Sequence, residues 1–139
     1  MSRFKSKKEL RLVIDQVISS LAEDESTGPK LRELQSALEV TFTDFDVTVN
    51  VRAGHKGESN LVWVWSKKVS WQRETSVEVS SDVANKFMQG KLRVAAAIAL
   101  RKVKVSGSLS HGLKVVSICH PMFGHYRDRL ESEYPHLMV

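Results

Sequence analysis

Ser81-Asp82-Val83-Ala84-Asn85-Lys86-Phe87-Met88-Gln89-Gly90-Lys91-Leu92-Arg93-Val94-Ala95-Ala96-Ala97-Ile98-Ala99-Leu100, closed by Val103-Lys104-Val105-Ser106-Gly107, is the stretch that decides how this 139-residue chain folds. Ser81 is placed to cap a helix with Asp82 in its first turn. Val83 and Phe87 share a face of that helix, and Gly90 is positioned to end it. Leu92–Leu100 reads as a second short helix, whose alanines (Ala95, Ala96, Ala97 and Ala99) let it pack close to a neighbour. Val103–Gly107 alternates apolar with polar and reads as a strand.

Upstream of this stretch the pattern is β. Val47, Val49 and Val51 alternate with Thr48, Asn50 and Arg52, as a half-buried strand does. Val40 and Phe42 begin the region, with Thr43–Asp46 as a bend and Ala53–Gly57 as a turn. Asn60–Ser66 reads as a second strand, with Leu61, Trp63 and Trp65 on one face and Val62 and Val64 on the other. Both faces are apolar, which predicts a strand that is central or covered on both sides. A third strand spans Thr75–Ser80. Consecutive strands joined by short turns predict an antiparallel meander.

Before the strands comes a helix. Ser6-Lys7-Lys8-Glu9 fits a capping box, and Leu10, Val13, Ile14, Val17, Ile18 and Leu21 then form one apolar stripe, leaving Arg11, Asp15, Gln16 and Ser19 on the wet side. Thr27-Gly28-Pro29 breaks this helix, and Leu31, Leu34, Ala37 and Leu38 suggest a short second one. At the other end Leu109, Leu113, Val115, Val116, Ile118 and Met122 mark a wide apolar helical surface. Pro121 starts or kinks a terminal helix holding Phe123, Tyr126 and Leu130. The whole is α+β.

Composition narrows the function. The chain is 42% hydrophobic and 27% charged, with one cysteine, which excludes a disordered tail and a disulfide scaffold. Its longest apolar run, Val94–Leu100, falls far short of the roughly 18 residues a spanning helix needs. Neither a secretory signal nor an internal domain boundary is visible, so one cytoplasmic domain over residues 1–139 is expected. Charge is unevenly spread. Val83–Arg127 contains no Asp or Glu but carries Lys86, Lys91, Arg93, Arg101, Lys102, Lys104, Lys114 and Arg127. The remainder holds 13 basic against 16 acidic residues, so the +5 net charge comes from this one stretch. Basic and apolar together suit an anionic partner beside an apolar one.

Catalytic motifs are missing. There is no Gly-x-Ser-x-Gly, no phosphate-cradling glycine loop, no His-Glu-x-x-His and no Cys-x-x-Cys. Cys119, His120 and His125 lack metal-ligand spacing, and adjacent helical residues point about 100° apart. Asp44, Asp46, Glu74 and Glu78 lie on separate elements, with nothing to set two of them across a substrate. No enzyme, metal or cofactor is expected. Trp63, Trp65 and Trp71 could stack nucleic acid bases, but they are not interleaved with the basic residues, which favours a core or cavity-lining role.

The run Ser81–Ile98, followed by Val103–Gly107 and an amphipathic end, resembles the sterol carrier protein type-2 domain, and more closely its small stand-alone bacterial form. The Asp-x-x-x-x-Phe-x-x-Gly-Lys helix end of that family falls on Asp82, Phe87, Gly90 and Lys91. An alanine-rich helix and a strand ending in glycine follow it, as in the family. The strands at Val47–Val51 and Trp63/Trp65 stand in the expected order, so the resemblance covers essentially the whole chain. One departure is Arg101-Lys102, where such domains often have Gly-Lys before the last strand. Another is the ending His136-Leu137-Met138-Val139, which is not a peroxisomal Ser-Lys-Leu.

The resemblance implies a mainly antiparallel five-stranded sheet covered by helices, with an apolar cavity between the layers. It also implies non-covalent binding, or transfer, of a fatty acyl chain, sterol, phospholipid or isoprenoid. The expected lining is Trp63, Trp65, Phe87, Leu92, Ala96, Leu100, Leu113, Val116, Met122 and Phe123. Lys86, Lys91, Arg93, Lys102 and Lys104 are expected to meet a lipid headgroup or an anionic membrane surface. Two other classes stand behind this reading: a basic nucleic-acid-binding module, and an accessory domain that binds a partner through its apolar helical surface.

Overall fold

The Ser6 hydroxyl accepts the Glu9 amide at 3.1 Å, and this starts α1 (Lys7–Glu23) in the computed structural model, which describes residues 2–139. The Glu9 carboxylate reaches back to the Lys5 amide at 3.0 Å, one residue beyond a standard capping box. Leu10, Val13, Ile14 and Ile18 are buried along its stripe. The helix break comes earlier than Thr27-Gly28-Pro29 suggests. Asp24 accepts the Ser26 and Thr27 amides at 3.1 and 2.8 Å, so α2 (Thr27–Leu34) begins there and holds Pro29 in its first turn.

The strands are β1 (Ala37–Phe42), β2 (Val47–Ala53), β3 (Leu61–Val64), β4 (Thr75–Val79) and β5 (Val103–Gly107). Their order is β3-β2-β1-β4-β5. Three pairs are antiparallel, but β1 and β4 run parallel, with Val40 opposite Val77. The sheet is therefore mixed, which corrects the expected meander. Alternation identifies a strand without naming its neighbour. The segment 65–74 is long enough to return behind β2 and β1. It passes Asn50, whose side-chain amide donates to the Ser66 carbonyl at 2.7 Å, while Arg73 pairs with Glu39 at 2.6 Å.

β3 is an edge strand, which corrects its expected central place. Its tryptophans are covered from α1 instead. The indole N–H groups of Trp63 and Trp65 donate to one oxygen of Asp15, at 3.0 and 2.7 Å. The Arg11 guanidinium lies 5.6 Å from the Trp65 ring centre. Asp15 thus faces the sheet rather than solvent. Leu38, Val40, Phe42, Val49, Val51, Val77, Val79, Val103 and Val105 face the helices. The opposite face holds polar pairs such as Thr41–Thr48, at 2.8 Å. Only one face demands a cover.

That cover comes from α1 and the second half. Ser80 caps α3 (Ser81–Met88) by accepting the Val83 amide at 3.2 Å. The expected cap, Ser81, instead gives its hydroxyl and amide to Asp44 at 2.6 and 2.9 Å. Gly90, at φ +75°, ends the helix. α4 (Val94–Ala99) does not pack closely as its alanines suggested, for only Ala97 is buried. It ends in a left-handed cap at Arg101, φ +57°, with the Lys102 amide donating to the Ala97 carbonyl at 2.9 Å. The position where the resemblance leads one to expect glycine takes the conformation glycine favours, with arginine in it.

α5 (Leu109–Cys119) crosses the sheet, and α6 (Phe123–Glu133) follows a short turn at His120–Met122. Thr75 donates its hydroxyl to the Ser108 carbonyl at 2.7 Å, fixing the start of α5 to β4. At the other end Asn85 is fully buried. It donates to the Leu137 carbonyl at 2.8 Å and accepts from the Tyr126 hydroxyl at 2.6 Å and the Gln89 amide at 2.9 Å. Burial pushes the Tyr126 hydroxyl far up, so it remains a neutral donor.

Replacing Asn85 by alanine strands the Tyr126 hydroxyl and leaves the Leu137 carbonyl with Gln89 alone. Asn85→Ala is expected to cost about 3 kcal/mol in urea unfolding, with an unchanged slope. Arg101→Gly relieves the left-handed backbone and is expected to stabilise the fold by up to about 1 kcal/mol in the same assay.

Candidate functional site

A pocket of about 590 Å³ lies between the front of the sheet and the helices over it. The inward residues of all five strands make its floor, from Leu61 on β3 through Val49, Val51, Val40 and Val77 to Val105. Its roof and walls come from Val83, Phe87 and Met88 of α3, Val94 and Ala97 of α4, and Leu109, Leu113, Val115 and Val116 of α5. Met122 and Phe123 close it toward α6, and Ile14, Val17, Ile18 and Leu21 of α1 close it on the other side.

Local chemistry explains why the space stays open. α5 buries none of its residues fully, although it crosses an apolar sheet. Its close approach is at Gly112, where a Cβ would stand 3.3 Å from the Thr75 methyl. Leu109 and Leu113 remain 45% exposed at the rim. The Phe87 and Phe123 rings meet edge to face at 5.4 Å and prop α3 against the start of α6.

Phe87, Leu113, Val116, Met122 and Phe123 are in the lining. Trp63, Trp65, Leu92, Ala96 and Leu100 are not. Asp15 holds the two indoles against α1, outside the pocket. α4 turns Val94 and Ala97 inward, which leaves Ala96 and Leu100 facing out. The floor valines belong to the site beyond the expected lining, each on the inward face that its strand's alternation marks.

Lys86, Lys91, Arg93, Lys102 and Lys104 are exposed and outside the lining. Lys104 points to the polar face of the sheet, 3.7 Å from Glu78. Among the described residues, the Asp, Glu, Arg and His side chains that border the pocket are on α6: His125, Asp128, Arg129 and Glu133. Arg129 donates to the Ser20 hydroxyl at 3.2 Å and pairs with Glu133 at 3.5 Å. A stripe running Met122, Tyr126, Arg129, Glu133 at three- and four-residue steps was the sequence signal for this border.

Polar chemistry inside is sparse. Cys119 lines the pocket, and burial pushes its thiol up to about 11, so it is a neutral thiol near pH 7. The His120 ring lies 5.2 Å from that of Phe123. Among the described residues no three His, Cys, Asp or Glu side chains are grouped to hold a metal ion. Asp44 is spent on Ser81, and Glu78 on Lys104. The site is an apolar container with a polar border.

No family model and no curated protein sequence matches the chain. Solved structures do. The stereoselective inverting sec-alkylsulfatase Pisa1 from Pseudomonas sp. aligns over 84% of this chain at 19% identity and TM-score 0.64, but only 18% of the sulfatase chain is covered. The ubiquinone synthesis protein UbiJ-SCP2 aligns over 78% of this chain and 86% of its own, at 14% identity and TM-score 0.59. Sterol Carrier Protein 2 from Yarrowia lipolytica, in its apo form, aligns over 85% and 91%, at 13% identity and TM-score 0.54. None of the helices described is long and apolar enough to cross a membrane. In architecture, the chain has the sterol carrier protein 2 fold.

Proposed function

We propose that this chain binds one hydrophobic molecule without reacting with it, holding its apolar part between the sheet and the helical roof. The observation that carries the reading is the 590 Å³ apolar pocket, whose size falls inside the about 300–1,000 Å³ common for ligand sites. Small domains normally close-pack their interiors. Support also comes from the named neighbours, one a sterol carrier and one a ubiquinone synthesis protein. The lone thiol is neutral, and Asp44 and Glu78 are paired away from the pocket, which supports carriage or presentation.

Energetics favour a long ligand. Each buried methylene contributes about 0.8 kcal/mol, whereas association costs about 4–15 kcal/mol. On the order of five methylenes must therefore be buried to match the lower end of that cost, and nearly twenty to match the upper end. A fatty acyl chain, an isoprenoid tail, a sterol or a phospholipid chain meets this; a short acid does not. The polar head emerges at the border where Arg129, Ser20 and His125 stand. The finer headgroup role falls to Arg129 rather than to the exposed lysines.

Native mass spectrometry of the purified chain, with organic extraction of what leaves it, tests the reading. A lipid at one per chain is expected, either co-purified or taken up when fatty acids, sterols and isoprenoids are offered. Val77→Phe places a ring in the floor of the pocket. It is expected to keep the fold and melting temperature while losing uptake. A chain that stays lipid-free under every offer, with Val77→Phe no different from wild type, would sink the proposal.

Cys119 supplies an independent reading. A hydrophobic maleimide is expected to label it slowly at pH 7, and faster as pH rises, because the thiolate fraction grows toward one half at about pH 11. Ligand in the pocket is expected to slow that labelling severalfold at fixed pH.

A further inference from the structure

α4 and Leu100 contain no polar side chain, since Val94–Leu100 is the longest apolar run in the chain. A helix apolar on every side belongs in an interior. Here only Ala97 is buried; Ala95, Ala96 and Ala99 are exposed, and Leu100 is 64% exposed. Two further outward leucines, Leu109 and Leu113, stand at the rim of the pocket. Cations flank these residues along the chain: Lys91 and Arg93 before α4, Arg101 and Lys102 after it, and Lys114 next to Leu113. No Asp or Glu lies anywhere from Val83 to Arg127.

We propose that α4, Leu100 and the outward leucines of α5 dock on the surface of an anionic lipid bilayer. The apolar side chains enter the boundary between headgroups and acyl chains, and the flanking cations meet the phosphates. Lysine and arginine suit such a border because their stems lie along apolar surface while their heads remain in water. A second copy of the chain is a poor occupant: pairing α4 with α4 would set its flanking cations against one another. Arg101 adds an independent pointer. It holds a left-handed backbone, φ +57°, where glycine would sit without strain, and places a cation next to Leu100. Docking in this way turns the pocket rim toward the bilayer, yet it does not require a filled pocket.

Flotation of the full chain with ligand-free vesicles tests this, using phosphatidylcholine alone and phosphatidylcholine mixed with phosphatidylglycerol. Flotation only with the anionic vesicles is expected, weakening as salt is added. Lys102→Ala is expected to weaken partitioning about fivefold, and Leu100→Ser about tenfold, with circular dichroism and melting unchanged. Arg101→Gly is the decisive variant: about fivefold weaker on vesicles while more resistant to urea, a pairing that a purely structural residue does not produce. Val77→Phe is expected to float like wild type, which separates failure of docking from failure of the pocket reading. Equal binding to neutral and anionic vesicles overturns the proposal. So does wild-type flotation by Leu100→Ser and Arg101→Gly together. Absence of flotation, with concentration-dependent association in sedimentation that Leu100→Ser removes, overturns it in favour of a second copy.

Discussion

A sheet with one apolar and one polar face must be covered once, and the way its cover is attached governs the rest of this molecule. The apolar face runs unbroken across five strands, from Leu61 to Val105. Its cover is packed through α1 onto the core and is tied by hydrogen bonds near its margins. Thr75 and Ser108 hold the start of α5 to β4, and Asn85, Gln89 and Tyr126 join α3, α6 and the Leu137 carbonyl. Between these anchors α5 has no fully buried residue. Directional bonds set a distance, whereas apolar contact alone would close it.

The same logic explains why the polar groups are where they are. An unpartnered buried amide or hydroxyl costs about 1–3 kcal/mol, so Asn85 is tolerable only with its partners in place. Its network stabilises one arrangement of α3 and α6, and the Phe87–Phe123 contact follows from it. Asp15 plays the corresponding part on the far side, where one carboxylate oxygen takes both indoles and keeps Trp63 and Trp65 off the pocket. Large aromatics that could have filled the interior are thereby held aside.

Much of this was legible in the residues. The stripe of α1, the strands at Val47, Leu61 and Thr75, the helix end at Gly90 and the returning strand at Val103 follow from periodicity and capping chemistry, whereas Ala37 and Leu38, read as helix, open β1. Strand order did not, because a parallel β1–β4 pairing depends on the path of 65–74 over the polar face, and alternation is silent on paths. The site was half legible for a related reason. Phe87, Leu113, Val116, Met122 and Phe123 lie on helices whose inward face the spacing gives. Trp63 and Trp65 share the correct face of their strand, yet a single acid on α1 diverts them. α4 failed differently: in a run of seven apolar residues no phase is marked, so Ala96 and Ala97 could not be told apart.

That unmarked phase is itself informative about function. A roof helix that only closed a pocket would carry polar residues on its outer side, as α1 does with Lys8 and Arg11. α4 carries none, and its solubility rests on the cations beyond its two ends. Val94 and Ala97 face the pocket while Leu100 faces out. One short helix therefore borders both the interior and the surface that we assign to the bilayer, with little more than alanine between. A ligand crossing from bilayer to pocket at this rim, near Leu109 and Leu113, would stay among apolar side chains. Exposure of a long chain to water, at about 0.8 kcal/mol per methylene, is the barrier such a route avoids. The exposure of α4 costs the free protein solubility, and the strained Arg101 costs it stability. Both are intelligible if the anionic lipid surface is where the protein works.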